Sequence, residues 1–432
     1  GLGSVVKFNT SETNATKLAG FPLTNGNAHT GGGLYLRLAS PVLEDLRVTN
    51  NVAGYQGGGI YAEYSSPTLS KCVISSNQCP NLGGGMLLWG SDALLTNVEI
   101  SQNFAAWGGG GMCIGQNSSP ILTNIIISNN NASYYGGGVF LYFGATPSFI
   151  NATIVGNNGG LGGGAFGVRA SYPTIVNSIL LGNQPQEVFY QTEYDTSSVE
   201  LSHTNIAGGI EGIVTNENGS IEWKGGNIDV NPRFIAPETN NYQLLASSLC
   251  INAGHPDSTD SDGSRADMGA FPHLNSYSGS DWYVDIDGND IIGTGELSNP
   301  FASIQAGINF SSDHDSVFVG PGTYLENVNY RGHSVSVKGI EGANNTIVDG
   351  NVSGPVFSAN SGEDTTTSLE GFTIQNGTGT YVYINDGNLG TIGGGIFVNN
   401  ANLSVSSCIV TNNHVTYSGG GIGAYQNQSI EI

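Results

Sequence analysis

The chain has 432 residues, 38% of them hydrophobic and only 10% charged, and 66 are glycine. Eleven Lys and Arg against 34 Asp and Glu leave a formal net charge of −23, which repels nucleic acid and anionic lipid and excludes both as partners. The length allows roughly two or three domains, and the composition favours strands and tight turns over helices. The acidity serves solubility and is compatible with divalent-cation binding outside the cell. No run approaches the ~20 apolar residues of a membrane span, so no membrane insertion is expected of this segment. Cys72, Cys79, Cys113, Cys250 and Cys408 form neither a CxxC pair nor a regular framework and read as buried thiols.

Glycine triplets begin at Gly31, Gly57, Gly83, Gly109, Gly136 and Gly162, then again at Gly393 and Gly419; the spacing within a run is 26 residues, once 27. An asparagine keeps the same period at Asn51, Asn77, Asn103, Asn130, Asn157 and Asn183. Each cycle holds a triplet, a short alternating run such as "IYAEY", a turn such as "SSP", and a second run such as "TLSKCVI". Runs this short, rich in β-branched and aromatic residues, are strands. A cycle of about 26 residues with two or three of them is one coil of a parallel β-helix, stacked on the next at ~4.8 Å.

Stacking turns equivalent positions into ladders. Leu34, Ile60, Met86, Met112, Val139 and Ala165 are predicted to form one inward apolar row, and Leu46, Cys72, Val98, Ile125 and Cys408 another. The asparagines read as structural residues that take left-handed backbone and hydrogen-bond to the coils above and below. The glycines belong where the chain turns sharply and coils approach closely. No triplet is followed by the Lys and Ser or Thr of a phosphate loop.

Aromatic residues recur on the coils at Tyr35, Tyr61, Trp89, Trp107, Tyr134, Tyr135, Phe140 and Tyr142, and are expected to be exposed. They read first as ladders that stabilise the stacked strands; the alternative is that these rings stack on sugars, with Tyr61, Trp89, Trp107 and Tyr135 the foremost candidates. Basic residues in the repeats are few: Arg37, Arg47, Lys71 and Arg169. Arg47 and Lys71 fall near one ladder column, the best constellation for a polysaccharide lyase, which needs a base beside a group that neutralises the sugar carboxylate. Asp45, Glu63 and Glu99 fall in different columns, unlike paired glycosidase acids. No residue is assigned a catalytic role.

The period breaks near residue 249. Two domains are predicted: a β-helix over 1–275 with a closing module at 249–272, and a second β-helix over 276–432 with a capping helix near 300–311, in "NPFASIQAGINF". Around the seam, Asp257, Asp260, Asp262 and Asp267, then Asp285, Asp287, Asn289 and Asp290, alternate oxygen ligands about glycine turns in a way that suits calcium; the alternative is that Asp and Gly simply make turns. The two domains read as homologous. "GSVVKFNTSETNATKLAGFPLTNG" from Gly3 aligns on "GPVFSANSGEDTTTSLEGFTIQNG" from Gly354 at an offset of 351, and "RVTNNVAGYQGGGI" aligns on "IVTNNHVTYSGGGI" at 362, after an eleven-residue insertion. A chain that starts and stops at equivalent places is expected to associate with itself end to end, in a longer array or fibre.

The segment "SNPFASIQAGINFSSDHDSVFVGPGTYLENV" resembles the opening module of pectin-lyase-like right-handed β-helix proteins. "SLCINAG" with "DGSRADMGAF" resembles the closing module of bacterial secreted members, and the "GGGI" and "ISSN" cycles are similar to the repeats of chlamydial polymorphic outer-membrane proteins. Together these cover most of the chain. The resemblance implies an all-β, right-handed parallel β-helix in an extracellular or cell-surface setting, and implies little about activity. The resulting expectation is a non-enzymatic structural or adhesive protein, with surface glycans as partners; a polysaccharide-lyase-like or glycan-binding protein is the alternative.

Overall fold

In strand Ile60–Glu63 the side chains alternate: Ile60 and Ala62 are buried while Tyr61 and Glu63 point outward. Met86–Trp89 lies parallel to it in register, Ile60 opposite Met86 and Ala62 opposite Leu88. Repetition of this step builds an all-β, right-handed parallel solenoid of about 26 residues per turn. The computed structural model describes residues 3–192, 195–383, 389–426 and 429–431.

The chain forms two compact units: Gly1–Pro232 with Asn252–Pro272, and Arg233–Ile251 with His273–Ile432. Residues 233–251 therefore fall in the second unit rather than the first, where the sequence reading placed them. Main-chain bonds explain this. The Ala246 N–H donates to the Asp290 carbonyl, and the Asn309 amide donates to the carbonyls of Ala246 and Ser248. Asn252–Pro272 instead returns to the first unit, where the Ala270 N–H donates to Thr153 Oγ1 at 2.9 Å and the His255 N–H to Asn177 Oδ1 at 2.6 Å.

The first unit has three parallel sheets. A nine-stranded sheet, here the first sheet, runs from Val6–Phe8 through Ile60–Glu63 and Val139–Tyr142 to Ile213–Val214. A fifteen-stranded sheet and a six-stranded sheet of short strands, from Asn27–Thr30 to Asn158–Gly159, complete the coil. Inward side chains of the coils form one continuous apolar cluster; burying each Ile, Leu or Val contributes ~1.5–3 kcal/mol. The second unit repeats the plan around its own core, from Asp281–Val284 onward. Its α-helix, Ile304–Phe310, is the one α-helix among the described residues and packs on the strands Asp281–Val284, Ser316–Val319 and Val328–Asn329. Ser303 caps it, and buried Glu326 accepts the N–H groups of Ile304 and Gln305, satisfying donors that a helix start leaves open.

The asparagine ladder is continuous. In every coil the asparagine Oδ1 accepts both the main-chain N–H and the side-chain amide of the asparagine one coil earlier, at 2.8–3.0 Å, from Asn51 to Asn183. Left-handed backbone, however, belongs to the residue before each one: Asn50, Ser76, Gln102, Asn129, Gly156 and Gly182 have φ between 55° and 67°. Turning the chain one residue early leaves the asparagine side chain pointing inward, buried along the axis.

The two sequence markers turn out to be one contact. A Cβ on Gly59, the third glycine of its triplet, would lie 2.8 Å from the Asn77 amide nitrogen and 2.6 Å from the Gly85 carbonyl oxygen. Gly33, Gly85 and Gly111 meet Asn51, Asn103 and Asn130 in the same way. In the sixth coil the register differs by one from the sequence reading. Phe166, not Ala165, lies opposite Val139 and continues the inward row, and Gly163 rather than Gly162 has the left-handed φ, 69°. Cys72 is buried as expected, while Cys408 is only half-buried.

The homology of the two ends extends to individual bonds. The Gly26 N–H donates to Asn51 Oδ1 at 2.8 Å, and its counterpart Gly377 N–H donates to Asn413 Oδ1 at the same distance. The insertion falls within 378–392, where Thr380–Tyr383 pairs antiparallel with Leu389–Ile392.

Candidate functional site

On the outer side of the first sheet, strand pairing sets up two adjacent columns. One runs Tyr35, Tyr61, Leu87, Cys113, Phe140, Gly167 and Phe189; the other runs Arg37, Glu63, Trp89, Gly115, Tyr142 and Arg169. Leu87, Cys113 and Phe140 form a small second core on this face, with Trp89, Trp107, Tyr135 and Tyr142 packed around it. Phe140 was expected to be exposed but is fully buried. The turns following the short strands fold over it, and Trp107 meets it edge-on at 5.3 Å. Trp107 is held in place by main-chain bonds, its N–H to the Asn81 carbonyl and its carbonyl accepting from Tyr135.

Between these turns and the sheet lies a groove of about 370 Å³ lined by Tyr55, Gln56, Tyr61, Asn81, Leu82, Trp89, Trp107, Tyr142 and Phe143. Three of the four predicted stacking residues, Tyr61, Trp89 and Trp107, thus converge. The fourth, Tyr135, lines a neighbouring groove of about 330 Å³ with Phe189, Arg169 and Gln191, and Trp107 borders both. Ladder stacking is also present: Tyr35 lies flat on Tyr61 at 5.5 Å, and Tyr135 stacks on Phe189 at 5.9 Å.

Missing side chains make the room. A Cβ on Gly115 would sit 2.9 Å from the Trp89 ring, which leans across it towards Tyr142, 6.0 Å away between centroids. Gly162 has the same role rather than that of a turn glycine: it pairs with Tyr135, and a Cβ there would meet the Phe189 ring at 2.5 Å. The Arg169 guanidinium lies 4.6 Å from the Tyr142 ring centre and 4.9 Å from that of Phe143, a cation–π contact that fixes both rings. Burial, helped by the charge of Glu63, pushes the Tyr61 phenol up to about 12, so it keeps its proton at neutral pH and donates a hydrogen bond. Tyr142 belongs to the wider set of coil aromatics read from the sequence, whereas Tyr55, Phe143 and Arg169 were not among the sequence candidates for sugar binding, although Phe143 stands three residues past Phe140 in "VFLYF".

The other candidates do not assemble. Arg47 pairs across the sheet with Val73, while Lys71 sits in the left-handed turn column with Asp45 and Asn97, so the two are in different columns. Glu63 is ion-paired with Arg37 at 3.0 Å, and Glu99 accepts from Ser101 Oγ at 2.7 Å. The seam acids do not gather into one cluster: among the described residues there is no group of three or more His, Cys, Asp or Glu that could hold a metal ion. Six of the eight turn one side-chain oxygen back onto main-chain N–H groups. Asp260 accepts from Asp267, Asp267 from Asn252, Asp262 from Ser264, Asp285 from Asp287, Asn289 from Ile291, and Asp290 from Ala302 and Ser303. Asp287 donates its own N–H in that turn, and the exposed Asp257 donates its N–H to His255 Nδ1. Desolvation pushes the Cys79 thiol up to about 11 and raises that of Cys113 well above its ordinary value, so both are unreactive core thiols.

Residues 81–233, which hold most of both grooves, match a family model described as a right handed beta helix region. The match covers about a third of the chain, and its description agrees with the right-handed parallel fold. No curated protein and no solved structure matches it. No helix among the described residues is long and apolar enough to cross a membrane.

Proposed function

We propose that this β-helix is a non-catalytic, glycan-binding protein of the extracellular or cell-surface space, a stiff adhesive element whose ligand is a neutral oligosaccharide. The observation that carries this reading is the lining of the 370 Å³ groove. Tyr61, Trp89, Trp107 and Tyr142 offer flat apolar rings for the C–H faces of a sugar, and Gln56, Asn81 and the protonated Tyr61 phenol offer hydrogen bonds to its hydroxyls. Among the described residues no Asp, Glu, Lys or Arg lines the groove. A uronate polymer would need a cation to neutralise its carboxylates, and a protein of net charge −23 would repel it.

The test pairs binding with cleavage. A panel of neutral oligosaccharides is titrated against the full chain with tryptophan fluorescence as the signal, and acidic polysaccharides are incubated with it and assayed for unsaturated products. Saturable fluorescence change with a neutral glycan, weakened about tenfold or more by Trp107→Ala, is expected. Robust release of unsaturated products would overturn the proposal in favour of a lyase.

A further inference from the structure

The second unit has a groove at the equivalent place, and it is not a copy of the first. It encloses about 280 Å³ and is lined by Tyr383, Tyr417, Tyr425, Ser418 and the strand around Ile422. By the 362-residue offset Tyr417 corresponds to Tyr55, Ser418 to Gln56 and Ile422 to Ile60, all at the groove of the first unit or in the strand beneath it. The other wall is different. In the first unit it comes from aromatic residues of later coils; here it comes from Val382 and Tyr383 of the strand Thr380–Tyr383, in the region of the eleven-residue insertion.

This wall is anchored. Leu389–Ile392 bridges to the next coil through Ile392 and Ser418. Thr391 and Thr416 exchange bonds in both directions, main-chain N–H to hydroxyl at 2.9 and 2.8 Å, and the Tyr417 N–H donates to the Thr391 carbonyl. Against that frame Tyr383 and Tyr417 are left 75% and 57% exposed, far more than an aromatic residue needs if its role is packing. As in the first groove, no charged residue is present in the lining among the described residues.

We propose that the second unit holds a second binding site for neutral oligosaccharide, built from Tyr383, Tyr417 and Tyr425, so that one chain binds two glycans. The proposal rests on the glycan-binding reading of the first groove but on separate residues. Exposed tyrosines present a flat apolar face and a phenolic hydroxyl together, the combination a sugar ring matches.

The two grooves differ in a way that separates them experimentally. The first contains two tryptophans and the second none. With a neutral oligosaccharide that the full chain binds, calorimetry counts both sites while tryptophan fluorescence follows the first. The expected result is two sites per chain by calorimetry. Trp107→Ala should leave one site, without its fluorescence change; Tyr383→Ala with Tyr417→Ala should also leave one, with the fluorescence change intact. Circular dichroism of each variant checks that the fold is retained. A wild-type stoichiometry of one, abolished by Trp107→Ala, would overturn the second site and leave the first standing. Binding that survives Trp107→Ala unchanged but is lost in the tyrosine pair would do the reverse. Failure of the wild type to bind any neutral glycan would remove both.

Discussion

Inner and outer side chains of the first sheet come from the same four-residue strands, yet they vary in different ways. Inward, Ile60, Met86, Met112, Val139 and Phe166 follow one another in register, all apolar and all buried. Outward, at the next position, stand Tyr61, Leu87, Cys113, Phe140 and Gly167. The inner row faces a core shared by every coil, so each member must be apolar. The outer row answers only to its neighbours and to the turns that fold over it, which leaves room for a large ring beside a glycine. Scaffold and site are therefore two faces of one set of strands, separable by single substitutions.

The largest effect is expected inside. Ile114→Ala deletes fully buried methyl and methylene groups and should cost about 2–5 kcal/mol in denaturant unfolding, with glycan affinity of the folded protein unchanged. A loss of similar size from Trp89→Ala would break the contrast. Next comes the axis: Asn103→Ala strips partners from the Asn77 N–H and amide and from the Ile74 carbonyl, all buried, at a cost of about 2–3 kcal/mol in thermal melts.

The third prediction concerns the end of the asparagine ladder, where Glu187 accepts both the main-chain and side-chain N–H of Asn183. Burial pushes this carboxyl up to about 7 from 4.5. Because the folded-state value is raised, the folded protein binds the proton more tightly than the unfolded chain. Its stabilisation is complete below about 4.5 and is lost as pH rises through 7. Glu326, also raised to about 7 by burial, acts in the same direction. Melts from pH 4.5 to 8 should therefore fall, by on the order of 1–3 kcal/mol from Glu187, and Glu187→Gln should flatten that part of the slope. A glutamine continues the amide ladder with one oxygen accepting both donors, as every asparagine above it does. An unchanged slope in the variant would remove the claim. The smallest effect is outside: Trp89→Ala should change stability by about 1 kcal/mol or less while weakening glycan binding, read by calorimetry.

The coil period and the inward row could be read from the amino acids because the same burial is demanded in every turn. The slip at Phe166 could not, since "GGLGGGAF" offers more than one triplet-like reading and only strand pairing with Val139 chooses between them. Left-handed backbone was assigned to Asn77 instead of Ser76 because asparagine is the usual occupant of that conformation, whereas here the ladder needs asparagine inside and leaves the left-handed turn to the residue before it, which is Asn, Ser, Gln or Gly. Individual aromatic residues stood out, but their convergence did not. Tyr61, Trp89 and Tyr142 are separated by 28 and 53 residues along the chain and meet only through coil stacking and the lean of Trp89 over Gly115. The seam acids carry two readings in the sequence because Asp beside Gly makes a turn by bonding nearby main chain, as Asp262 and Asp285 do, and the same residues in the same order also describe a cation loop.

The contact between Gly59 and Asn77 spans eighteen residues, less than one coil, so each full period contains both halves of it. Excising 57–82 would join Gln56 to Gly83 and leave every remaining glycine beside its own asparagine, with Asn51 delivered onto Asn103. The repeat is thus a self-sufficient building block: genes can lengthen or shorten such a coil stack by whole units, and a groove can be moved along it without rewriting the joints.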